Sequence, residues 1–415
     1  MIPTLLDLLP EELETIPVWD APTSTNNNNT GPDRRLLAGG NCAGTPITGD
    51  DRPGSRCCLG AISKGGDQRY AGAETSCGQD RAVYQRVRDL ALSELGAHPA
   101  RARHGGDAAA TGCDVCRIVR VLASMEHRRF AFLGDSVQSQ AFTALECELR
   151  RRGFDVRAGP TREWPAPGGG TGWRYGIKRE VCITVAVPGG VRRTADHPDD
   201  DDDDESVGFC FYKHYRPIED MVQHKAIADT HDVLMINYGL HFLPTKRERE
   251  GLERSLEALL RAVVVGNSGG GKGARVLYRE TSAQHFDNEG GEYQKRKRKR
   301  AKSKTCKPVS ATDALARWRT DVFRGAANRT GVSVVDALRR RRDGDGDYDD
   351  NNNQPEVAFL PFWDFTAELH DLHNGEDCTH YCYSPHTFYP LWRHIRIALD
   401  GVVDEDGGGG ETGRR

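Results

Sequence analysis

Two short motifs far apart in the chain contain residue types that could perform acyl transfer. Ser136 ends the segment FAFLGDS (130–136), and His380 lies three residues after Asp377 in DCTH (377–380). A serine hydroxyl is a poor nucleophile unless a base takes its proton, and a histidine oriented by a carboxylate can act as that base. Ser136, His380 and Asp377 are therefore the candidate nucleophile, base and orienting carboxylate.

Both motifs also have an interpretation without chemistry. Gly-Asp-Ser suits a turn followed by a helix N-cap, because all three residues favour such positions. A lone D-x-x-H is expected by chance in a chain with 61 acidic residues and 14 histidines. The surroundings of His380 are more specific, since the motif lies between a strand-like and a helix-like segment and cysteines lie on both sides of His380.

The segments that must position these residues alternate between strand and helix patterns. The run before Ser136 is apolar and the apolar side chains after it recur every four residues, which indicates a buried strand leading into an amphipathic helix. Further strands are predicted in VCITVAVPGG, VGFCFYKHY, DVLMINYGLHF, ARVLYRET, VSVVDAL and VAFLPFWDF, and further helices in RAVYQRVRDLALSEL, REREGLERSLEALLRAV, ATDALARWRTDVFRGA and FYPLWRHIRIAL. This alternation predicts an α/β layered fold with a mainly parallel sheet.

Four segments, taken in order, resemble the signature blocks of the PC-esterase group of SGNH (GDSL-like) enzymes. They are GDS (134–136), INYGLHF (236–242), YRETSAQHFDNEGGEY (278–293) and DCTH (377–380). That group includes the trichome-birefringence-like polysaccharide O-acetyltransferases and the catalytic domain of sialate O-acetyltransferase. The similarity spans residues 130–398, and it departs from the group's Ser-Pro pair at Ala283.

The resemblance implies a three-layer α/β/α SGNH-hydrolase-like fold and an acyl-serine mechanism. In that mechanism His380 takes the proton of Ser136, and Asp377 orients His380. The main-chain N–H of Ser136 would hold the oxyanion, and Gly239 N–H and the Asn237 side chain correspond to the group's further oxyanion donors.

Three residues of the third block, Arg279, Ser282 and His285, are candidate substrate contacts. The alternative for them is structural, an arginine–carboxylate pair or a satisfied buried histidine, and the sequence leaves both open. His241 is expected to pack rather than to react. Four aromatic residues near the second motif could either stack on sugar rings or pack in the core: Phe362, Trp363, Tyr381 and Trp392.

The function implied by the resemblance is O-acetyl transfer to glycan or polysaccharide hydroxyls. A carbohydrate acetylesterase is the alternative, because both reactions use the same acyl-enzyme and differ in how water is excluded. An inactive carbohydrate-binding module on the same fold is a second alternative. No cofactor is expected beyond an acetyl donor as co-substrate, and the expected partner is the glycan acceptor; the sequence leaves the oligomeric state open.

The twelve cysteines and two N-x-T sequons, at Asn28 and Asn328, indicate the secretory pathway and, with the resemblance, the Golgi lumen. The first twenty residues lack the pattern of a signal peptide, and no stretch approaches the length of an apolar membrane span. A cytoplasmic location therefore stays open. Cys113, Cys116, Cys378 and Cys382 could hold zinc, but disulfides are favoured and no metal is expected.

The sequence predicts one catalytic domain, preceded by a leader and a cysteine-bearing subdomain and followed by a short tail. It comprises a disordered leader (1–40), a cysteine-bearing N-terminal subdomain (41–118), the catalytic domain (119–402) with insertions near 187–206, 287–305 and 340–355, and a tail (403–415). The acidic run at 199–205 and the basic run at 295–304 suit solvated loops. Nucleic-acid binding by the basic run is the less favoured alternative, and GNSGGGK (266–272) is interpreted as a glycine linker because no Ser or Thr follows its lysine.

Overall fold

A computed structural model of the chain contains an eight-stranded sheet in which most neighbouring strands are parallel. The structure describes residues 81–94, 113–163, 177, 179–187, 206–214, 222–265, 273–287, 291–292, 306–310, 317–337, 355–374, 377–381 and 385–400. The predicted leader and tail, both charged runs, the glycine segment and most of each insertion lie outside these residues.

The strands are β1 (Arg129–Gly134), β2 (Val156–Glu163), β3 (Arg179–Ala186), β4 (Ser206–Lys213), β5 (Val233–Asn237), β6 (Arg275–Arg279), β7 (Ser333–Asp336) and β8 (Glu356–Leu360). Their order in the sheet is β2-β3-β4-β1-β5-β6-β8-β7. From β4 to β7 all neighbours pair in parallel, whereas β3 pairs antiparallel with both β2 and β4. A separate hairpin consists of β9 (His373–Asn374) and β10 (Asp377–Tyr381).

The helices are α1 (Arg81–Glu94), α2 (Asp114–Ala123), α3 (Ser136–Arg151), α4 (Val222–Ala228), α5 (Lys246–Val263), α6 (Trp318–Thr330), α7 (Trp363–Ala367) and α8 (Tyr389–Asp400). A 3₁₀ turn at Pro385–Thr387 precedes α8. The α/β class predicted from the alternating pattern is confirmed.

The central strand β1 is buried on both faces, which explains its continuous apolar run. Phe130 and Phe132 pack in one core cluster with residues of α1, α2, α3 and α8. Ala131 and Leu133 point the opposite way into a second cluster with residues of α4, α5 and α6. The period of two along β1 thus assigns helices to each side of the sheet.

The seven predicted strands correspond to β1 and β3–β8, and the predicted helices to α1, α3, α5, α6 and α8. Strand β2 was not predicted because Gly159 and Pro160 interrupt it, and the pairing is irregular between Ala158 and Thr161. An edge strand tolerates such an interruption. The D-x-x-H segment, expected on a turn, forms the irregular strand β10 instead.

Helix α1 belongs to the predicted N-terminal subdomain (41–118). Its Val87 and Ala91 are fully buried in the same core cluster as α3 and α8. This helix therefore packs on the sheet domain, and the division at residue 118 stays a prediction.

Three disulfides connect described cysteines: Cys113–Cys116, Cys182–Cys210 and Cys306–Cys378. The second joins directly opposed residues of β3 and β4, and the third ties β10 to the segment 306–310. The sulfur atoms of Cys113, Cys116 and Cys378 are thus used within the protein rather than as zinc ligands. Disulfides are typical of oxidising compartments. Among the helices that the structure describes, none combines the length and apolar character needed to cross a membrane.

Two buried histidines outside the candidate site make the fold sensitive to acid. Burial lowers the pKa of His231 and of His394 to about 4, and each Nδ1–H donates to a main-chain carbonyl. Unfolded histidine titrates near 6.5, so below that pH the unfolded chain binds more protons and stability is lost as the pH falls towards 4. From pH 7 to pH 4.5 we expect the free energy of unfolding to drop by about 2–3 kcal/mol for each histidine.

Urea denaturation at a series of pH values measures this effect. His394→Leu should reduce the slope of unfolding free energy against pH, whatever the variant costs at neutral pH. His127→Leu, at an exposed position, is the control and should keep the wild-type slope. Equal slopes in His394→Leu and the wild type would contradict the assignment.

Candidate active site

Ser136 is the first residue of α3 and follows the carboxyl end of β1. The N-cap of α3 is Asp135, whose Oδ1 accepts from the main-chain N–H groups of Val137 and Gln138. Asp135, not Ser136, therefore performs the capping that the motif allows. The Ser136 side chain is half-buried at the positive end of the helix.

Gly134 permits the close approach of β5 and α3 at this corner. A Cβ atom at position 134 would lie 2.6 Å from the carbonyl oxygen of Asn237 and 2.9 Å from Cβ of Gln138. A side chain here would push apart the strand end and the helix that position Ser136.

The structure brings Ser136 and His380 into direct contact. His380 Nε2 lies 2.5 Å from Ser136 Oγ, although the two residues are 244 positions apart in the chain. If Nε2 accepts the serine hydroxyl hydrogen, the neutral ring carries its own hydrogen on Nδ1. This is the tautomer that a base needs in order to take the proton of Ser136.

Asp377 begins β10, three residues before His380, and its main chain pairs with Asn374 of β9. Tyr381 lies opposite His373, so one step along β9 corresponds to four along β10. Such an irregularity removes the regular alternation that would put residues three apart on opposite faces. The side chain of Asp377 lies outside the described part of the structure, and its role as orienting carboxylate stays a prediction.

Gln140 fixes the strand that carries His380. It lies one helical turn after Ser136, its Nε2 donates to the carbonyl oxygen of Tyr381 at 2.8 Å, and its Oε1 accepts from Tyr381 N–H at 3.3 Å. Because Gln140 and Ser136 share a face of α3, these two bonds hold β10 next to Ser136. The sequence analysis missed Gln140, and its signal was the four-residue spacing from Ser136.

The predicted oxyanion donors Asn237 and Gly239 lie at the end of β5 and two residues beyond it. Asn237 is fully buried, and its Nδ2 donates to the carbonyl oxygen of Arg279 at 3.0 Å and to Thr281 Oγ1 at 3.4 Å. Its amide hydrogens therefore connect β5 to the end of β6. The oxyanion role of the two residues stays a prediction.

A buried arginine holds the segment that follows Gly239. Gly239 has a φ of +139°, and a Cβ there would lie 2.7 Å from Arg319 Cδ, so both conformation and space favour glycine. Arg319 donates from Nε to the Gly239 carbonyl at 2.7 Å and from Nη2 to the Phe242 carbonyl at 3.0 Å. It also forms a bidentate ion pair with Glu292, both bonds 2.5 Å long. No motif pointed to Arg319, and Glu292 lies within the third block without having been assigned a role.

The three candidate substrate contacts are buried, and two of them, Arg279 and His285, hydrogen-bond within the protein. Arg279 donates from Nε to Gln138 Oε1 at 2.7 Å, its guanidinium lies 5.2 Å from the Phe362 ring centre, and burial lowers its pKa to about 10. His285 is fully buried, and its Nε2 lies 3.0 Å from the carbonyl oxygen of Ala367. Ser282 is 2% exposed, and its Oγ has no hydrogen-bond partner among the described residues. The contacts give Arg279 and His285 a supporting role, and substrate binding by the three residues stays a prediction.

Glu280, next to Arg279, joins the ends of β6 and β8. Its Oε2 accepts from the N–H groups of Phe362 and Trp363 at 3.0 and 2.9 Å, and its Oε1 accepts from Thr320 Oγ1 at 2.7 Å. The carboxylate thereby satisfies the first N–H groups of α7, and the sequence analysis missed this role.

The remaining candidates, His241 and four aromatic residues, differ in how far they are buried. The expectation that His241 packs is wrong, because its side chain is exposed beyond the end of β5. All four aromatic candidates are buried in the core: Phe362, Trp363, Tyr381 and Trp392.

One group of potential metal ligands occurs among the described residues: Glu180, Cys182 and Cys210. Its two sulfur atoms are bonded to each other in the β3–β4 disulfide. Because of this disulfide, the Glu180 carboxylate is the one remaining potential metal ligand of the group.

A scan of the chain against protein-family models finds no match, and a search among curated proteins finds no relative. The case for function therefore depends on the geometry of the site.

Replacement of Arg319 by methionine is expected to destabilise the protein by about 3–5 kcal/mol, because it leaves the Glu292 carboxylate and two carbonyls buried without their donor. Chemical denaturation measures the change. Arg329→Met is the matched control on the same helix: Arg329 pairs with Glu253 and Glu257 at the surface, where ion pairs contribute little. Similar destabilisation by the two variants would contradict the role assigned to Arg319.

Proposed function

We propose that this chain is a serine-nucleophile acyl-transfer enzyme with an SGNH-like fold, and that it moves acetyl groups onto hydroxyls of a glycan or polysaccharide. The observation that carries the proposal is the 2.5 Å contact between Ser136 Oγ and His380 Nε2 at the carboxyl edge of the sheet. Functional groups of open α/β sheets commonly lie at this edge, where neighbouring connections leave in opposite directions. Strand β1 has that position, between β4 and β5.

In the proposed first step His380 Nε2 accepts the hydroxyl proton while Ser136 Oγ bonds to the carbonyl carbon of an acetyl ester. The bond from that carbon to the leaving oxygen then breaks, and the imidazolium returns its proton to the leaving oxygen. In the second step His380 takes a proton from an acceptor hydroxyl, whose oxygen bonds to the acetyl carbon. The bond from that carbon to Ser136 Oγ then breaks, and the imidazolium returns its proton to Oγ. Asp377 would stabilise the imidazolium in both steps.

The Ser136 N–H is our first candidate for holding the oxyanion. It lies at the start of α3, and the Asp135 carboxylate accepts from Val137 and Gln138 instead. One well-placed donor of this kind contributes about 3–4 kcal/mol to transition-state stabilisation. Asn237 at the end of β5 and Gly239 two residues beyond it are the further candidates.

Hydrolysis is the alternative outcome of the same acetyl-serine, since water can replace the sugar hydroxyl. The three disulfides support an oxidising compartment, and we propose the Golgi lumen, where glycan acceptors are present.

A single-turnover reaction with a chromogenic acetyl ester, followed by intact mass, tests the nucleophile. The wild type and Ser139→Ala, a serine-to-alanine control on the same helix, should gain one acetyl group, and Ser136→Ala should gain none. His380→Gln should slow adduct formation by about 10²–10⁴-fold. Adducts on Ser136→Ala at the wild-type rate would reject the proposal. Sugars added after the adduct forms distinguish transfer from hydrolysis by the product that carries the acetyl group.

Gln140→Ala tests the positioning of His380. Loss of both bonds to Tyr381 should lower kcat by up to about 100-fold, because small displacements of a base are costly. KM and the thermal midpoint should change little, which separates this effect from general destabilisation. The prediction is wrong if kcat stays at the wild-type value or if KM alone rises.

A further inference from the structure

Two histidines form a chain of contacts behind the strand that carries His380. His285 Nε2 lies 3.0 Å from the carbonyl oxygen of Ala367, and His285 Nδ1 lies 2.6 Å from His373 Nε2. At the far end His373 Nδ1 lies 2.9 Å from the carbonyl oxygen of His380 itself. The chain therefore ends on the main chain of the candidate base.

The number of hydrogens in this chain follows from the acceptors at its ends. A carbonyl oxygen can only accept, so His285 Nε2 and His373 Nδ1 both carry hydrogen. Two neutral rings would then present bare nitrogen lone pairs to each other at 2.6 Å. One hydrogen must lie in that contact. Three of the four ring nitrogens of the pair then carry hydrogen, and the pair has one positive charge.

Burial decides which ring carries the charge. His285 is fully buried, which lowers its pKa to about 4, whereas His373 is 8% exposed. The Tyr381 ring lies 4.5 Å from the His373 ring, and an aromatic face favours a cation beside it. These differences favour His285 as the neutral acceptor and His373 as the imidazolium.

The charged and titratable groups around the pair come from three segments. His370 and the Asp371 carboxylate precede β9. His370 lowers the pKa of His285 electrostatically, and Asp371 raises it. Asp371 also pairs with Arg86 of α1. Tyr381 contacts both rings from β10, and its hydroxyl donates to the carbonyl oxygen of Ala283 at 2.6 Å.

We propose that His373 is a positioning residue that acts as an imidazolium, with His285 as its acceptor, and fixes the main chain of His380 so that Nε2 meets Ser136. This inference rests on the proposed function for its catalytic consequence, although the protonation of the pair can be measured without any activity. Gln140 holds the next residue, Tyr381, so His380 is fixed on both sides. Loss of the shared proton at high pH should release one side.

Nitrogen-15 NMR of the histidine rings in the full chain tests the protonation. The two ring nitrogens of an imidazolium have similar shifts, whereas those of a neutral ring differ widely. At pH 7 we expect one imidazolium that disappears in His373→Leu, while His394 keeps the neutral pattern. A neutral pattern for both His285 and His373 at pH 7 overturns the proposal.

The same spectra test positioning through the ring signals of His380. These should shift in His373→Leu and stay unchanged in His370→Gln, the control at a neighbouring histidine outside the pair. Unchanged His380 signals in His373→Leu overturn the positioning role.

Turnover of the acetyl ester links the pair to catalysis. His373→Leu should lower kcat about ten- to a hundredfold at constant KM and remove the alkaline loss of activity, and His373→Gln, which retains an N–H donor, should recover part of kcat. Wild-type kcat and pH profile in His373→Leu overturn the inference. An inactive wild type with the expected imidazolium and His380 shifts refutes the proposed function alone.

Discussion

Hydrogen bonds between buried polar side chains and neighbouring elements connect the strand and helix ends at the carboxyl edge of the parallel sheet, and the rest of the site depends on these bonds. An unpaired buried polar group costs about 1–3 kcal/mol, so each bond also fixes the relative position of two elements. Gln138 joins α3 to Arg279, Asn237 joins β5 to β6, and Glu280 joins β6 to α7. These bonds define the edge on which Ser136 lies.

The hairpin β9–β10 has only two short strands and could not hold a base in place by its own pairing. It is anchored from several parts of the chain instead. The Cys306–Cys378 disulfide covers one end, Gln284 Nε2 donates to Thr379 Oγ1 at 3.0 Å, and Gln140 bonds the main chain of Tyr381. The proposed catalytic role of His380 requires such external bonds, because a displacement of about 1 Å is enough to lose most of a catalytic contact's effect.

The segment after β5 is held by a different device, the buried pair of Arg319 and Glu292. The pair is nearly without solvent contact, so its geometry must compensate for the loss of hydration. It does so through two parallel bonds and through the carbonyl oxygens of Gly239 and Phe242. The fold therefore combines a rigid strand edge, a bonded hairpin and a buried ion pair around one serine.

The sequence by itself determined seven strands of the main sheet and five helices, because burial on a strand or a helix face leaves a local pattern. It did not predict the short helices α4 and α7, nor α2, although six of the ten residues of α2 are buried. It also supplied Ser136 and His380 as candidates, since their reactivity is a property of residue type and near neighbours. It missed β2 and β10, where glycine, proline or irregular pairing erases the period, and it missed Gln140, Glu280, Arg319 and His373. Only the tertiary structure decided that Ser136 meets His380, that Asp135 is the helix cap and that Arg279 and His285 are bonded inside. These outcomes depend on contacts between segments up to 244 residues apart, and no local pattern encodes which distant partner a buried polar group will find.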